Sequence, residues 1–329
     1  MTDRTTIARH NIYDQDDAFW EAYRQGRPNI PESFFQRIYD YHSHEGGAFN
    51  LVHDAGAGGG VLSARFATRF NHVLVSDPSA DNLNVARQSL AGDQYEFRLG
   101  KLEDFSGLTT QSVDMVFCGT SLHWCDLDQA FESITHQLKP GGTFAACLTG
   151  VAGLHDQTAN KAWRGVIRQG HAEVLRRPPH GSDTYHKLKS TGLLVASAYD
   201  AVPLPEKYFE RGARRLKLNY PPWYSWWDQL VALDVRDEWP YVNAFGLHDV
   251  VSSEEDSGWG FETEIKGLRT IAEALSLDLS SPGLVKAWAE LQEVVGDRTV
   301  HGVWPCTLLL ATKASNSAVH ENGELQTTV

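Results

Sequence analysis

The sequence is poor in cysteine: its 329 residues contain four, and they occur singly, without the Cys-x-x-Cys spacing of metal or redox sites. Three of them, Cys118, Cys147 and Cys306, lie in apolar runs typical of strands, and all four are predicted to be reduced thiols within the fold. The sequence also lacks a His-Glu-x-x-His motif and an Asp-rich calcium loop. We therefore expect no metal site.

Basic residues are scarce as well, with 29 Lys and Arg against 42 Asp and Glu, which gives a net charge of −13. This balance argues against binding to nucleic acid or to an anionic membrane, because both attract clustered Lys and Arg. No apolar run is long enough to span a bilayer, and the acidic first twenty residues lack the apolar core of a secretory signal. These features predict a cytoplasmic protein, a monomer or homodimer, that acts on a small molecule.

One glycine is missing from the most informative part of the chain. The run Leu51-Val52-His53-Asp54-Ala55-Gly56-Ala57-Gly58-Gly59-Gly60 is a short apolar strand that ends on an acid and then turns through glycines. A dinucleotide loop, Gly-x-Gly-x-x-Gly, would need a further glycine at Val61 or Ser63. The spacing therefore favours a nucleoside cofactor over a nicotinamide dinucleotide.

Strand and helix signals alternate from about residue 32 onward, which predicts an α/β fold of the Rossmann-like type, with a doubly wound, mostly parallel sheet of seven strands. Helices are predicted over 32–44, 61–70, 127–138 and 156–175, and strands over 49–54, 73–77, 95–99, 113–118, 143–148 and 299–312. We divide the chain into an N-terminal helical segment (1–31), a cofactor-binding core (32–150), an inserted helical and aromatic cap (151–298), the last strand (299–313) and a disordered tail (314–329).

Two positions after the glycine loop suit a nucleoside. Asp77 ends the second predicted strand, where a carboxylate accepts hydrogen bonds from both ribose hydroxyls; Asp77-Pro78-Ser79 also precedes a helix, so a capping role is the alternative. The turn after the third strand, which contains Leu102 and Glu103, is where an adenine edge would lie, with a solvated acidic turn as the alternative.

In this order, the motifs resemble those of the class I S-adenosylmethionine-dependent methyltransferases. The resemblance is carried by Val52 to Gly60, Val75-Ser76-Asp77, Ser112 to Phe117 and Leu138-Lys139-Pro140-Gly141-Gly142-Thr143. Two further motifs, Tyr23-Arg24-Gln25-Gly26-Arg27-Pro28 and Leu122-His123-Trp124, are similar to the trans-aconitate methyltransferase-like group of small-molecule enzymes, which includes members in fungal secondary metabolism. The resemblance fades between Leu154 and Asp297, where the acceptor would be selected.

The resemblance implies S-adenosylmethionine as cofactor, with S-adenosylhomocysteine as its product, and assigns residues to it. The implied cofactor-binding set is Tyr23, Arg27, Asp54, Gly56, Ala57, Gly58, Asp77, Pro78, Leu102, Glu103, Gly119, Thr120 and Trp124. Arg27 would pair with the cofactor carboxylate, and Tyr23 or Trp124 would face the sulfonium or simply pack. Lys101 departs from the pattern, since many relatives place an acid there against the adenine.

His123 is the candidate for acid–base work, because it follows the fourth strand and its unperturbed pKa lies near neutrality; the alternative is that it orients the substrate. Aromatic side chains crowd the region from Tyr208 to Phe261, which predicts a dry pocket for an apolar or aromatic acceptor. We assign Trp20, Trp223, Trp226 and Trp227 to that pocket. An acceptor carboxylate would have an arginine partner among Arg164, Arg168, Arg211, Arg214 and Arg215.

The resemblance thus implies methyl transfer to a small organic acceptor and, by analogy with relatives that methylate carboxyl groups, at an oxygen of a carboxylate or hydroxyl group. Three alternatives stay open at this point. The methyl acceptor is nitrogen or sulfur; or the bound cofactor supports a cyclisation or pericyclic reaction without giving up its methyl group; or the protein binds S-adenosylmethionine without catalysis.

Overall fold

The computed structural model describes residues 17–231 and 241–315. Its helices, in chain order, are α1 (Asp17–Gly26), α2 (Glu32–His44), α3 (Ser63–Phe66), α4 (Ala80–Ser89), α5 (Leu127–Gln137), α6 (Gln157–Arg176), α7 (Asp183–Ala196), α8 (Trp226–Leu230), α9 (Ile265–Ala274) and α10 (Pro282–Val295). Its strands are β1 (Leu51–Ala55), β2 (His72–Asp77), β3 (Tyr95–Leu99), β4 (Val113–Gly119), β5 (Leu138–Thr149), β6 (Gly153–Leu154), β7 (Arg214–Leu218), β8 (Val250–Glu254), β9 (Gly260–Thr263), β10 (Val300–Val303) and β11 (Cys306–Thr312).

The main sheet has the strand order β3-β2-β1-β4-β5-β11-β7-β8. Strands β1 to β5 run parallel, and β11 is antiparallel to both β5 and β7. The strand order reverses between β1 and β4, so the carboxyl ends of these two strands frame the crevice where such sheets bind ligands. The Rossmann-like α/β fold is therefore confirmed.

The sheet has eight strands, where the sequence predicts seven. The six predicted strand ranges include neither β7 nor β8; β8 pairs in parallel with β7 at the edge of the sheet. It lies in the region assigned to the cap, and Val250 and Val251 are both exposed. Because neither face of β8 is consistently buried, its sequence lacks the apolar alternation from which strands are predicted.

The predicted last strand, 299–312, is two strands. Trp304 and Pro305 interrupt it; proline has no N–H to donate to a ladder. The first part, β10, pairs with β6 and β9 in a separate three-stranded antiparallel sheet, and β11 returns to the main sheet. The predicted helix over 61–70 is likewise reduced to α3 and flanking turns. The N–H of His72 donates to the carbonyl oxygen of Asn50, just before β1, so the chain has to turn back towards β1 soon after α3.

The core lies on both faces of the parallel strands. Every residue of β4 from Val113 to Cys118 is buried, as expected for a central strand covered on both sides. Ring contacts join helices to the sheet on the two sides, as between Phe66 and Phe117, 4.7 Å apart, and between Phe131 and Phe144, 5.8 Å apart. At the N-terminus α1 packs against α9.

Parts of three predicted segments lie outside the described residues, namely 1–16 of the N-terminal segment, 232–240 of the cap and 316–329 of the tail. Three cysteines are buried as predicted, and Cys125 is half-buried. Among the helices in the described part of the chain, none combines the length and apolar character needed to cross a membrane.

Candidate active site

The loop after β1 is built on glycines that no other residue replaces without strain. Gly56, Gly58 and Gly60 have φ angles of +70°, +56° and +78°. The N–H groups of Gly56 and Ala57 both donate to the carbonyl oxygen of Ser76, each at 2.9 Å, which folds the loop onto the end of β2. The turn therefore requires glycine, both for its positive φ angles and because side chains such as Ser121 and Leu90 pack closely against Gly56 and Gly60.

Asp77 lies directly beside this loop, as the sequence predicts. Its carboxylate accepts hydrogen bonds from Gly58 N (2.9 Å), Ser79 N (2.9 Å) and Asn82 Nδ2 (3.0 Å). The helix cap of α4 is Ser79, whose hydroxyl accepts from the N–H of Asn82. Asp77 thus joins the glycine loop to the start of α4, with Pro78 in the turn between them, and its contact with ribose stays a prediction.

Trp20 lies on the glycine loop, apart from the tryptophans with which the sequence analysis groups it. Its Nε1 donates to Asn82 Oδ1 at 3.1 Å, and Asn82 in turn donates to Asp77. A Cβ added at Gly58 would lie 2.3 Å from Cη2 of the indole. Trp20 is buried, so α1 closes over the loop through this side chain.

The end of α1 brings Tyr23 and Arg27 to the same region. The Tyr23 ring meets Trp20 edge-on at 5.2 Å, and the Arg27 guanidinium lies over the Tyr23 ring at 4.9 Å. Nε of Arg27 is buried and has no hydrogen-bond partner in the described part of the chain. A buried guanidinium nitrogen without an acceptor is suited to bind a carboxylate.

Asp54 provides a second carboxylate below the loop. It is buried at the end of β1 and accepts a hydrogen bond from the Ser63 hydroxyl at 2.6 Å. Burial raises the pKa of Asp54 to about 7; the Ser63 hydrogen bond opposes this shift, and the negative charge of Asp77 adds to it. A positive group bound here would favour the ionised form of Asp54.

The loop after β4 faces the glycine turn. Ser121 donates from its hydroxyl to the carbonyl oxygen of Ala55 at 2.8 Å, which ties the ends of β4 and β1 together. Thr120, next to Gly119, has a φ of +55° and donates its N–H to the Cys147 carbonyl oxygen at 2.8 Å. A non-glycine residue held in this conformation is characteristic of functional loops.

His123 follows in a 3₁₀ turn, Leu122–Trp124, and its ring lies 5.3 Å from that of Trp124. Nδ1 of His123 is 2.9 Å from the hydroxyl of Tyr199. Burial, with the positive charge of Arg27 added, lowers the pKa of His123 to about 3. Sequence reasoning missed Tyr199, because no motif surrounds it and it lies 76 residues from its partner.

The turn predicted to face adenine lies after β3, and its contact with adenine stays a prediction. Leu102 is buried, and Lys101 is exposed. Oε1 of Glu103 accepts from the N–H of Asp126, at 3.0 Å, and Asp126 is the N-cap residue of α5. This carboxylate thus links the turn after β3 to the helix after β4.

The remaining predicted pocket residues separate into two places. Trp223 and Trp226 pack at the carboxyl end of β5, where a Cβ at Gly153 or Gly150 would lie 2.9 Å or 2.8 Å from them. Trp227 meets Tyr241 edge-on at 6.0 Å instead.

The candidate arginines also differ in their surroundings. Arg215 is fully buried and pairs with Asp249 at 2.6 Å, so it is not available to an acceptor. Arg211 pairs with Glu206 at the surface. Nε of Arg164 is buried without a hydrogen-bond partner in residues 17–231 and 241–315.

A cleft of about 410 Å³ opens between the end of α1 and strand β9. Its walls include Arg27, Trp259, Phe261 and Trp304. These aromatic side chains belong to the small sheet and its connections, and Arg27 lies where the cleft and the surroundings of His123 meet. In the described residues, no group of three or more His, Cys, Asp and Glu side chains is arranged to hold a metal ion.

This fold and this site define a Rossmann-like, cofactor-binding α/β protein with its crevice at the ends of β1 and β4. Comparison with known proteins identifies the cofactor. Residues 53–146 match the family described as a methyltransferase domain. The chain is 37% identical to the methyltransferase gedG of Aspergillus terreus over 92% of this chain and 94% of that protein.

Two other fungal relatives match over nearly the same length. The methyltransferase AacuQ of Aspergillus aculeatus is 32% identical, over 92% of this chain and 95% of its own. A methyltransferase of Claviceps purpurea is 34% identical, over 94% and 96%. The chain belongs to the class I S-adenosylmethionine-dependent methyltransferases, and S-adenosylmethionine is its cofactor.

Proposed function

We propose that this methyltransferase transfers the methyl group to an oxygen atom, of a carboxylate or a hydroxyl group, on a small organic acceptor in fungal secondary metabolism. The observation that carries the proposal is a neutral, buried imidazole, His123, at the carboxyl end of β4 opposite the glycine loop. The full-length likeness to fungal methyltransferases supports the metabolic setting.

The residues present fit the cofactor. Asp77 lies beside the glycine turn, where it would accept from the ribose hydroxyls, and the unpartnered Nε of Arg27 suits the carboxylate of the methionine moiety. When bound, S-adenosylmethionine supplies an electrophilic methyl group on a sulfonium. The chain's own task is to hold the acceptor atom in line with that methyl group and to exclude water.

The state of His123 supports an acceptor that needs no base, and this favours oxygen over an ammonium nitrogen. Its pKa of about 3 leaves the imidazole neutral and weakly basic at physiological pH. A carboxylate, or a hydroxyl that is already ionised, needs no base to attack the methyl group, whereas an ammonium must first lose a proton. The site therefore suits an acceptor that arrives with an available oxygen lone pair.

The surroundings favour an apolar or aromatic acceptor. Trp259, Phe261 and Trp304 line the cleft beside Arg27, and aromatic walls exclude water from a bound ring. The net charge of −13 makes a polyanionic macromolecule a poor partner.

The proposal is tested by incubating the protein with S-adenosylmethionine and a matched acceptor panel: one aromatic scaffold carrying a carboxylate, a phenol, an amine or a thiol. We expect S-adenosylhomocysteine and an O-methylated product in equal amounts, with the Asp77→Ala variant as the inactive control. N- or S-methylation would overturn the oxygen assignment. A transformed product without S-adenosylhomocysteine would indicate a non-methylating reaction, and binding without turnover of any acceptor would indicate a binding protein.

A further inference from the structure

We propose that Tyr199 is a positioning residue: its hydroxyl donates to His123 Nδ1 and so holds the imidazole in the tautomer that presents an Nε2–H donor to the methyl acceptor. This inference rests on the proposed function, because it concerns the acceptor side of the same site. In this tautomer His123 orients the acceptor oxygen through Nε2–H and does not act as the base.

The direction of the hydrogen bond follows from counting protons on the Tyr199 hydroxyl. The oxygen lies 2.9 Å from Nδ1 of His123, and Tyr199 is fully buried. Burial, with the nearby thiols Cys147 and Cys118 as smaller causes, raises the pKa of Tyr199 well above its usual value, so the phenol keeps its proton. Among the described residues, Nδ1 is the one acceptor within hydrogen-bond distance of this buried hydroxyl, so that proton is directed at Nδ1.

A neutral imidazole carries one proton, and an Nδ1 that accepts leaves it on Nε2. His123 is neutral because burial and the positive charge of Arg27 lower its pKa to about 3. In the part of the chain that the structure describes, Nε2 makes no hydrogen bond. The Nε2–H group is therefore available to an oxygen of a bound molecule, and it has no lone pair with which to accept a proton.

The backbone at Tyr199 is strained in a way that serves this placement. Ala198 and Tyr199 have φ angles of +53° and +62°, a conformation that costs free energy for residues with a Cβ. Two cations on β7 hold the turn by their hydrogen bonds to its carbonyl oxygens. Lys217 Nζ donates to Ala198 O at 3.2 Å, and Arg215 Nη1 donates to Tyr199 O at 3.3 Å.

Arg215 is itself fixed, because it is fully buried and its Nε donates to Asp249 at 2.6 Å. Side chains of β7 in the main sheet thus hold the turn at Ala198 and Tyr199, and the turn places the Tyr199 hydroxyl beside Nδ1 of His123. Strain that the surrounding structure maintains in this manner is found where a side chain must be placed with accuracy.

The test uses Tyr199→Phe, with Tyr41→Phe as the matched control. Tyr41 is also buried, and its hydroxyl lies 2.9 Å from Oγ1 of Thr312. Thr312 pairs with Thr143 in the amino-terminal half of β5, away from the crevice at the carboxyl ends of the strands. Imidazole ¹⁵N chemical shifts report the tautomer, and the His123 signals are those missing in His123→Gln. We expect protonated Nε2 in the wild type and in Tyr41→Phe, and a mixture of both tautomers in Tyr199→Phe.

Kinetics give the second readout. Loss of one hydrogen bond should lower kcat of Tyr199→Phe about 3- to 10-fold, with the Kd of S-adenosylhomocysteine unchanged. His123→Gln, whose amide supplies a donor near the position of Nε2, should keep its kcat within about 10-fold of wild type, whereas His123→Ala should lose about 100-fold.

A wild-type ¹⁵N spectrum that shows the His123 proton on Nδ1 would overturn the proposal. This measurement does not depend on whether the Tyr199→Phe variant folds. Equal kcat losses in His123→Gln and His123→Ala would also overturn it, since a base is lost in both. Failure of the proposed function looks different: the tautomer would be as stated, but no acceptor would become methylated at oxygen.

Discussion

Replacing Asp77 by alanine tests how the nucleoside end of the site is built. The carboxylate accepts from Gly58 N, Ser79 N and Asn82 Nδ2. Without it, the two backbone donors are left unpaired in a buried place, and each such group costs about 1–3 kcal/mol. We expect the free energy of unfolding to fall by about 2–6 kcal/mol from this cause alone.

The ligand adds a separable effect. At a concentration of 100 times its Kd, S-adenosylhomocysteine should stabilise the wild type by about 2.7 kcal/mol. Two ribose hydroxyls that donate to a carboxylate contribute about 1.5–3 kcal/mol each, so the variant should bind at least about 100-fold more weakly. At the same ligand concentration its stabilisation then drops to about 0.4 kcal/mol or less.

Urea denaturation followed by tryptophan fluorescence, with and without S-adenosylhomocysteine, measures both effects. Ser79→Ala is the matched control: it removes the α4 cap at a cost of about 1 kcal/mol but keeps the carboxylate, so its ligand-dependent stabilisation should equal that of the wild type. If Asp77→Ala gains as much from the ligand as the wild type does, the ribose assignment is refuted.

Three further outcomes follow from the site and its support. The pKa of Asp54 is about 7 in the folded protein, against an ordinary value of 3.8, so the folded state holds this proton more tightly than the unfolded state does. As the pH rises from 3.8 to about 7, the free energy of unfolding of the wild type should therefore fall more steeply than that of Asp54→Asn, as measured by urea titrations at several pH values. Gly58→Ala should lose about 1–2 kcal/mol from its positive φ and also clash with Trp20, and calorimetry should show cofactor affinity partly restored when Trp20→Ala is added. Asp249→Ala should destabilise by about 3–5 kcal/mol, since it leaves Arg215 charged and buried, whereas Arg215→Met combined with it should cost less in the same denaturation assay.

The cofactor-binding half of the fold was predictable from sequence because its signals are local. The third strand is found at the predicted residues, and the fourth extends one residue further, to Gly119. Of the four glycines in the predicted turn, Gly56, Gly58 and Gly60 adopt positive φ angles. Each of these features depends on residues near it in the chain, so pattern and spacing are sufficient.

Features that depend on contacts between distant segments were not predictable. Arg215 resembles a solvated arginine in sequence, yet it is fully buried because β7 lies inside the main sheet. Residue type alone groups Trp20 with the other tryptophans, but α1 places it on the glycine loop. Tyr199 lies on a strained turn that only the side chains of β7 explain.

The measurement that tests the central claim most directly is a methyl-transfer assay with S-adenosylmethionine whose methyl group carries deuterium. Mass spectrometry should show the whole labelled methyl group on an oxygen of a small aromatic acceptor, with one S-adenosylhomocysteine formed per product. A product that lacks the label while the cofactor stays intact would contradict the account.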